Sequence, residues 1–395
     1  IRVQSVFIRG PLILSSSCSP RLNQNAFFIS ALSAPSCKTT TMLQTSIYDT
    51  TGIERLQREL QIDSRLSRKL RTALFKHFQA DELALAEFPA TERLAIHPLA
   101  LDSRHDSQLD GASKLLFRTA TEMLIEAVIL RIATGRTTLC VSSQIGCAAA
   151  CDFCATGKMG IAQNLTPEEI CDQVLQAGQL LAPESRSLRN IVFMGMGEPF
   201  HNEDKLYSAL ESLISPRLFH FSPTKILVST VGIPAAMLRC VRRFPQLNLA
   251  LSLHSVRQEV RERIIPLAKK FPIESLQHAL HQINELQTRP VMIEHLLLAG
   301  VNDSLDDAQL LVEWLANLRA HVNLIPYNAI ADAPHLIGTE RTEREAFGAF
   351  LKQAGIPTTI RYSLGGDIAA ACGQLVRKEN RAVAITQTSG FSQRK

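Results

Sequence analysis

Short apolar runs alternate with amphipathic stretches over most of the chain after residue 137. Seven of these short apolar runs predict strands. They are TLCVSS, NIVFMG, KILVST, NLALSL, VMIEHLLL, VNLIP and TTIRYS. Helical patterns lie between them, near residues 166–181, 203–214, 233–243, 273–286, 304–319 and 342–354. Strict alternation of strand and helix predicts a parallel sheet with helical crossovers, so we expect an α/β fold, a partial (β/α)6 barrel over residues 121–380.

The first helix of this barrel carries a start signal in its sequence. Thr166 precedes Pro167, and Glu169 follows three residues after the threonine. A threonine followed three residues later by a glutamate is the capping-box pattern, and proline is favoured at the first helical position. The pattern predicts a helix that begins at residue 167.

Residues 42–120 form a separate region, which we expect to be a small helical accessory domain. Leu66, Leu70 and Leu74 recur at helical spacing in a segment that is also strongly basic. The basic residues are Arg65, Arg68, Lys69, Arg71 and Lys76. This basic face is either a surface for RNA contact or an ordinary solvated helix face.

The two ends of the chain are expected to lie outside the folded part. Residues 1–41 are rich in serine, carry four of the five net positive charges and have no acidic residue. That composition is typical of an organellar transit peptide, and the alternative is a non-native, unstructured extension, because the first methionine is Met42. Residues 381–395 are expected to be a C-terminal tail.

Charge and cysteine content narrow the class of protein. The chain without residues 1–41 is close to neutral, so nucleic-acid binding would have to come from a local basic patch. No run approaches about twenty apolar residues, which excludes a transmembrane helix. The cysteines are odd in number after residue 41, which favours reduced thiols over a secreted disulfide framework. We therefore predict a cytoplasmic protein, or an organellar one if residues 1–41 are a transit peptide.

Three cysteines follow the first predicted barrel strand. Cys147, Cys151 and Cys154 have the spacing C-x3-C-x2-C. Three thiolates on one short loop can hold three irons of a [4Fe–4S] cluster and leave the fourth iron open. Structural zinc normally requires four ligands, and the nearby Cys171 falls inside a predicted helix. A zinc site or a purely structural cluster is the alternative.

Polar residues follow several of the predicted strands. In a β/α barrel, reactive residues gather where strands end and loops begin. The residues in question are Gly197, Glu198, Ser229, Ser252, His254 and Asn328. Each alone is consistent with a turn or a helix cap, but together they predict a ligand-binding rim. Glu126 is unusual in a different way, because it interrupts the apolar run MLIEAVIL; it either faces water from an edge strand or is functional.

Several motifs resemble one family. The cysteine triplet, with Phe153 before its last member, resembles the radical SAM superfamily, and MGMGEP resembles the superfamily's motif for the amino group of S-adenosylmethionine (SAM). Cys140 in TLCVSSQIGC and Cys372 in GGDIAAACGQL add two distinctive contexts. With VSTVGI, LSLHS, GVNDS and HVNLIPYN, these closely resemble the RlmN/Cfr family of radical SAM RNA adenine methyltransferases, from about Glu126 to Leu375.

The resemblance implies the cofactors and the residues that bind them. It implies one [4Fe–4S] cluster held by the three cysteines of the triplet, with SAM as the second cofactor. It also implies SAM contacts from the residues that match the family's positions. These are Gly197, Glu198, Ser229, Ser252, Leu253, His254 and Asn328. One departure from the family is Ala329, which stands where proline is usual.

The resemblance also implies a mechanism. One SAM methylates Cys372, and a radical formed from a second SAM removes hydrogen from that methyl group, which then adds to an adenine carbon. Glu126 matches the proton acceptor. Cys140 matches the thiol that releases the product, leaving a transient disulfide between Cys140 and Cys372.

The implied substrate is an adenosine of 23S-type ribosomal RNA and, as a further candidate, tRNA. The motifs divide between the C2-methylating and C8-methylating branches, so the carbon stays open. The electron donor is expected to be a flavodoxin or a ferredoxin. Two alternatives remain at this point: another radical SAM reaction, such as protein activation or sulfur insertion, and a non-catalytic RNA-binding factor that contains a cluster.

Overall fold

The computed structural model describes residues 44–375, 377, 379 and 380. The expectations for residues 1–41 and for the tail 381–395 lie outside these described residues. The described residues belong to one compact unit. In the described part, no helix combines the length and apolar character needed to cross a membrane.

Helices and strands alternate as the sequence predicts. The helices are α1 Thr50–Glu59, α2 Ser64–Phe75, α3 Asp81–Leu85, α4 Pro167–Leu181, α5 Glu203–Ile214, α6 Pro234–Arg243, α7 Gln258–Ile264, α8 Ile273–Leu286, α9 Leu305–Trp314 and α10 Arg341–Gln353. The strands are β1 Thr45–Ser46, β2 Leu94–Ala95, β3 Ala100–Asp106, β4 Ala112–Arg118, β5 Leu124–Arg131, β6 Thr137–Cys140, β7 Gln144–Gly146, β8 Ala162–Asn164, β9 Asn190–Phe193, β10 Ile226–Thr230, β11 Asn248–Ser252, β12 Val291–Leu297, β13 Ala320–Pro326 and β14 Thr358–Ile360.

The central sheet has ten strands in the order β14-β13-β12-β11-β10-β9-β6-β5-β4-β3. The seven strands from β6 to β14 in this order are parallel, and they are the seven that the sequence predicts. In the described part of the chain, β14 and β3 are the two edges and do not pair with each other, so the sheet is open. The α/β fold and the partial barrel are confirmed.

Residues 94–118 differ from the expected helical region. The accessory helices end at Leu85, and β3 and β4 extend the sheet with antiparallel pairing to β5. The edge strand β3 is exposed along nearly its whole length, so its sequence shows no alternation of apolar and polar residues. The helical part shares the barrel's core, since Leu74 and Phe193 belong to the same buried cluster.

Helix α4 begins as its sequence predicts. The Thr166 hydroxyl accepts a hydrogen bond from the Glu169 N–H at 3.2 Å. The Glu169 carboxylate accepts one from the Thr166 N–H at 2.8 Å. This reciprocal capping box fixes the first turn of α4. The loop before α4 that carries the cysteine triplet, residues 147–157, is called the cluster loop below.

A buried carboxylate on α4 joins the N-terminal segment to the barrel. Asp172 accepts hydrogen bonds from the Tyr48 hydroxyl at 2.9 Å and from the Leu99 N–H at 3.1 Å. Its Oδ1 is also 2.7 Å from Nδ1 of His97, whose Nε2 is 2.9 Å from Asp81 Oδ2. His97 is thus held between two carboxylates, one from the barrel and one from the helical region.

We expect His97→Gln to destabilise the protein by about 2 kcal/mol, with an effect that fades at high pH. Burial lowers the pKa of His97, but its bonds to Asp172 and Asp81 outweigh burial and raise this pKa to about 10. The charged imidazolium therefore stabilises the fold fully below its ordinary pKa of about 6.5, and this contribution is lost as the pH rises through 10. Urea unfolding from pH 6 to 10 measures it, with the exposed His105→Gln as control. If the difference in the free energy of unfolding between wild type and His97→Gln stays constant with pH, the stabilising role of the charged imidazolium is contradicted.

Candidate active site

A cavity opens at the carboxyl ends of the parallel strands, where barrel folds place their reactive groups. Nine of the predicted site residues line it. They are Cys147, Cys151, Cys154, Gly197, Glu198, Ser229, Ser252, His254 and Cys372. Four predicted residues do not line it: Glu126, Cys140, Leu253 and Asn328.

The cluster loop follows β7 and folds back on itself. The Cys154 N–H donates to the Cys151 carbonyl at 3.3 Å, and the Asp152 N–H donates to the Ile264 carbonyl at 2.8 Å. Burial raises the pKa of Cys147 to about 12 and raises that of Cys151, and the neighbouring thiols add to both shifts. Three mutually repelling thiols in a buried loop are suited to a strongly cationic group that binds them as thiolates.

The surroundings of the triplet fit an iron–sulfur cluster. Arg261 is fully buried beneath the loop, its Nε donates to the Leu253 carbonyl at 3.2 Å, and its Nη1 has no hydrogen-bond partner in the described residues. Its charge interacts with Cys151. A buried, partly unpaired cation next to these thiols suits an anionic thiolate-bound cluster. In the described residues, no three His, Cys, Asp or Glu side chains converge tightly enough to hold a single metal ion.

The loop after β9 presents Glu198 to the cavity. Gly197 has a φ of +103°, and a Cβ there would lie 2.6 Å from the Cβ of Gln144, so only glycine fits. The Glu198 carboxylate accepts hydrogen bonds from the N–H of Phe200 at 3.1 Å and of Val231 at 2.8 Å. Burial raises the pKa of Glu198 to about 7 against these bonds. The loop therefore fixes a buried carboxylate where the family motif places the SAM amino group.

Strands β10 and β11 supply the next polar groups. The hydroxyls of Ser229 and Ser252 are 3.4 Å apart. His254 has a φ of +60°, and its Nδ1 accepts a hydrogen bond from the Leu296 N–H at 3.0 Å. Burial lowers the pKa of His254, so the ring is neutral and carries its proton on Nε2. Its ring also contacts Phe153 of the cluster loop edge to face, with centroids 4.8 Å apart.

Cys372 reaches the cavity from the C-terminal loop. Its side chain is exposed to the cavity, and the loop is docked on the cluster loop by the Ala155 N–H, which donates to the Gly373 carbonyl at 2.7 Å. The Asn328 amide donates to the Cys372 carbonyl at 3.0 Å. Asn328, which the resemblance assigns to SAM, is thus bonded here to the backbone of the reactive cysteine.

Cys140 lies one layer behind the cavity, within β6. Burial raises the pKa of its thiol, and the nearby Cys372 adds to the shift, so the two thiols are close enough to interact. Both are free cysteines in this structure. The disulfide predicted between them is not supported, because the structure has the pair in the reduced form.

Glu126 is buried in β5, which lies inside the sheet between β4 and β6. Its carboxylate forms ion pairs with Lys114, at 3.3 Å, and with Arg377. The interpretation that Glu126 faces water from an edge strand is therefore wrong. The Ser142 hydroxyl donates to the Glu126 carbonyl at 2.6 Å and accepts from the Met196 N–H at 2.8 Å, which ties β5 to the Gly197–Glu198 loop.

Sequence reasoning missed two charged residues of the site, Arg261 and Glu294. Glu294 is 2% exposed, lines the cavity and accepts a hydrogen bond from the Asn323 amide at 2.9 Å. A signal for Glu294 was present, since it interrupts the apolar run VMIEHLLL just as Glu126 interrupts its own strand. Arg261 had no comparable signal, because it lies in a helix that carries several other charges.

Comparison with known proteins places the chain in a class. Residues 141–312 match the radical SAM superfamily. The crystal structure of a radical SAM methyltransferase from Sphaerobacter thermophilus superposes with a TM-score of 0.79 at 35% sequence identity, covering 84% of this chain and 99% of that one. The protein is thus a radical SAM protein.

Closer relatives define the family within this class. A probable RNA methyltransferase of Rhodopirellula baltica is 58% identical over 86% of this chain and 89% of its own length. A probable dual-specificity RNA methyltransferase RlmN of Thermus thermophilus is 38% identical over 82% of this chain and 86% of its own length. The ribosomal RNA large subunit methyltransferase Cfr of Staphylococcus aureus is 40% identical over 67% and 76%, respectively. The chain belongs to the RlmN/Cfr family of radical SAM RNA methyltransferases.

Proposed function

We propose that this protein methylates C2 or C8 of an adenosine in 23S-type ribosomal RNA through a methyl-cysteine intermediate on Cys372. The observation that carries the proposal is the position of Cys372, on the wall of the same cavity as the three cysteines of the cluster loop. A thiol has no part in binding SAM, but it is the group on which a methyl can be carried from SAM to RNA. The naming of the RlmN relative as a dual-specificity RNA methyltransferase supports a second RNA substrate, for which we propose tRNA.

Different residues of the cavity would bind the two cofactors. Cys147, Cys151 and Cys154 would hold a [4Fe–4S] cluster. When bound, the cluster and SAM together supply the 5′-deoxyadenosyl radical that makes an unreactive aromatic carbon accessible to methylation. The fixed carboxylate of Glu198 is suited to accept hydrogen bonds from the SAM amino group, and the hydroxyls of Ser229 and Ser252 to bond its polar atoms.

Cys372 would act first as a methyl acceptor. Its thiol loses a proton, and the sulfur bonds to the methyl carbon of one SAM as the bond from that carbon to the SAM sulfur breaks. The crowded protein surroundings raise the pKa of the Cys372 thiol, and the Glu294 charge adds to this effect. The thiol therefore stays protonated until SAM brings its positive charge into the cavity. The bonds made by Asn328 and Gly373 keep the sulfur at the cavity wall throughout.

Release of the methylated base would need the two residues behind the cavity. The adduct radical would first give up one electron, which the oxidised cluster could accept, and Glu126 would accept the proton from the attacked adenine carbon. The thiolate of Cys140 would then attack the sulfur of Cys372, so that the bond from this sulfur to the RNA-linked carbon breaks and that carbon takes up a proton to complete the methyl group. The interaction between the thiols of Cys140 and Cys372 supports this exchange. The oxidised pair then requires an external reductant, and the radical step requires an electron donor such as flavodoxin or ferredoxin, as found in a reducing cytoplasm.

The test is mass spectrometry of nucleosides from ribosomal RNA of a bacterial host that lacks its own relative and expresses this protein. We expect a new 2-methyladenosine or 8-methyladenosine, which also decides the carbon. A matched strain expressing the Cys372→Ala variant serves as control. The absence of any new methyladenosine, from protein that carries its cluster and cleaves SAM, would contradict the proposal.

A further inference from the structure

A second cavity lies at the opposite ends of the same strands. It has a volume of about 600 Å³ and is lined by three segments, residues 75–78, 185–188 and 219–221, together with part of α4. Residues 185–188 precede β9 and residues 219–221 precede β10, whereas the catalytic cavity lies where these two strands end. The distance along the strands is roughly 15 Å, at about 3.3 Å per residue. The cavity is therefore separate from the site described above.

The inner wall of this second cavity is aromatic. Phe75 and Phe219 contact each other edge to face with centroids 4.9 Å apart, and Phe221 stacks on Phe219 at 6.3 Å. The ring of Phe78 lies directly on α4, since a Cβ on Gly178 would come within 2.1 Å of it. Glycine inside a helix lowers the stability of the helix, but at position 178 it lets the ring of Phe78 approach closely. Phe75 and Phe219 are buried behind this wall, whereas Phe78 and Phe221 are partly exposed, so a ligand in the cavity can contact the rings of Phe78 and Phe221.

The charged side chains at this wall are basic. Lys76 and Arg186 line the cavity together with two histidines and two serines, and no aspartate or glutamate of the described residues does. Nη1 of Arg186 is buried and has no hydrogen-bond partner among the residues that the structure describes.

The positive charge extends beyond the cavity along α2. Burial lowers the pKa of Arg71, the charges of Arg217 and Arg68 lower it further, and the charge of Glu54 partly offsets these effects. Arg217 belongs to the loop that carries Phe219, and its ion pair is with Glu54. Cations that repel one another in this way are stabilised by a bound anion.

Each segment around the cavity also contains a residue in the left-handed region. These are Phe78, Ser185 and His220, with φ values of +48°, +54° and +61°. Such conformations are strained for residues other than glycine, and they cluster at binding sites, where the surrounding fold holds them. The three segments are therefore held in a defined shape around the cavity.

We propose that this second cavity binds a nucleotide, with the base against the phenyl rings and the phosphate on Arg186 and Lys76. An aromatic wall suits a planar base, and a cationic rim without carboxylates suits a phosphate, so the two features together match the two halves of a nucleotide. The source is either a free nucleoside phosphate or a nucleotide of an RNA strand. With RNA as the source, the inference rests on the proposed function.

The test measures binding of two probes, adenosine monophosphate and a single-stranded adenosine oligonucleotide of about ten residues, by calorimetry and fluorescence anisotropy. Arg186→Gln and Lys76→Gln are the variants. The control is Arg189→Gln, three residues along the same loop, exposed and outside the cavity lining. We expect Arg186→Gln to bind about tenfold or more weakly, as when a hydrogen bond to a charged group is removed, while the control binds as wild type. For the oligonucleotide, the slope of log affinity against log salt concentration should fall by about 0.7 for each phosphate that the variant no longer neutralises.

Each outcome either supports the inference or overturns it. Arg186-dependent binding of the monophosphate, with no gain for the oligonucleotide, assigns the cavity to a free nucleotide. Arg186-dependent binding of the oligonucleotide alone assigns it to RNA. Equal binding by Arg186→Gln, Lys76→Gln and the control overturns the inference. Binding of either probe does not require Cys372, so Cys372→Ala protein gives the same result even if RNA methylation fails.

Discussion

Cys372→Ala protein loses RNA methylation entirely, by at least about a thousandfold, while it keeps its cluster. The reason is that alanine cannot carry the methyl group between SAM and the adenine carbon. Cys372 lies outside the cluster triplet, and its loop is held through backbone carbonyls that alanine leaves intact. Transfer of label from methyl-labelled SAM to RNA measures the loss, and iron content with the visible absorption of the cluster measures what is kept.

The matched control is Cys240→Ala. Cys240 is a buried thiol of α6 that does not line the cavity, so its replacement tests whether loss of any thiol lowers activity. We expect Cys240→Ala protein to methylate RNA at a rate close to that of wild type. Methylation by Cys372→Ala at the wild-type rate would contradict the role of Cys372, whereas loss of iron from this variant would show that alanine disturbs the cluster loop.

Arg261→Gln is expected to remove most of the cluster from purified protein and to lower the reduction potential of what remains. Arg261 is the largest fully buried side chain of the described residues, and its charge interacts with Cys151. Loss of a buried cation next to an anionic cluster weakens binding of the cluster and makes the addition of an electron less favourable. Iron and sulfide analysis measures binding, and redox titration followed by electron paramagnetic resonance measures the potential.

Arg261→Lys separates charge from packing in this experiment. Lysine retains the positive charge but loses the planar fork that bonds the carbonyls of Leu253 and Val231. We expect Arg261→Lys to recover much of the potential but only part of the cluster content. If Arg261→Gln protein binds its cluster with an unchanged potential, Arg261 has only a structural role, which thermal unfolding of the apo-protein would then show.

The sequence predicts the barrel because the parallel strands are local apolar runs, and the central ones, such as β10, are buried on both faces. VNLIP and NLALSL, for example, correspond to β13 and β11. The antiparallel edge was missed because β3 is exposed and its sequence is polar. Helix α7, at Gln258–Ile264, was missed as well, since a short charged segment shows no apolar stripe until its tertiary contacts are known.

The residues of the candidate site likewise include some that the sequence predicts and some that it does not. Local spacing is enough to find the cysteine triplet, and a strand end is enough to find Ser252 or His254. Arg261 and the second cavity depend on contacts between distant segments, which no local pattern encodes. Arg261 is one of three arginines within seven residues, and only packing beneath the cluster loop distinguishes it from the other two.

Two hydrogen bonds couple the position of the cluster loop to that of the loop that carries Cys372. Ala155 and Thr156 donate to the carbonyls of Gly373 and Leu375, at 2.7 and 2.6 Å, across more than two hundred residues of sequence. Both donors directly follow the last cysteine of the triplet, so the loop that carries Cys372 and the loop that carries the triplet are joined by the same few bonds. A substitution that displaces one of these loops is therefore expected to displace the other as well.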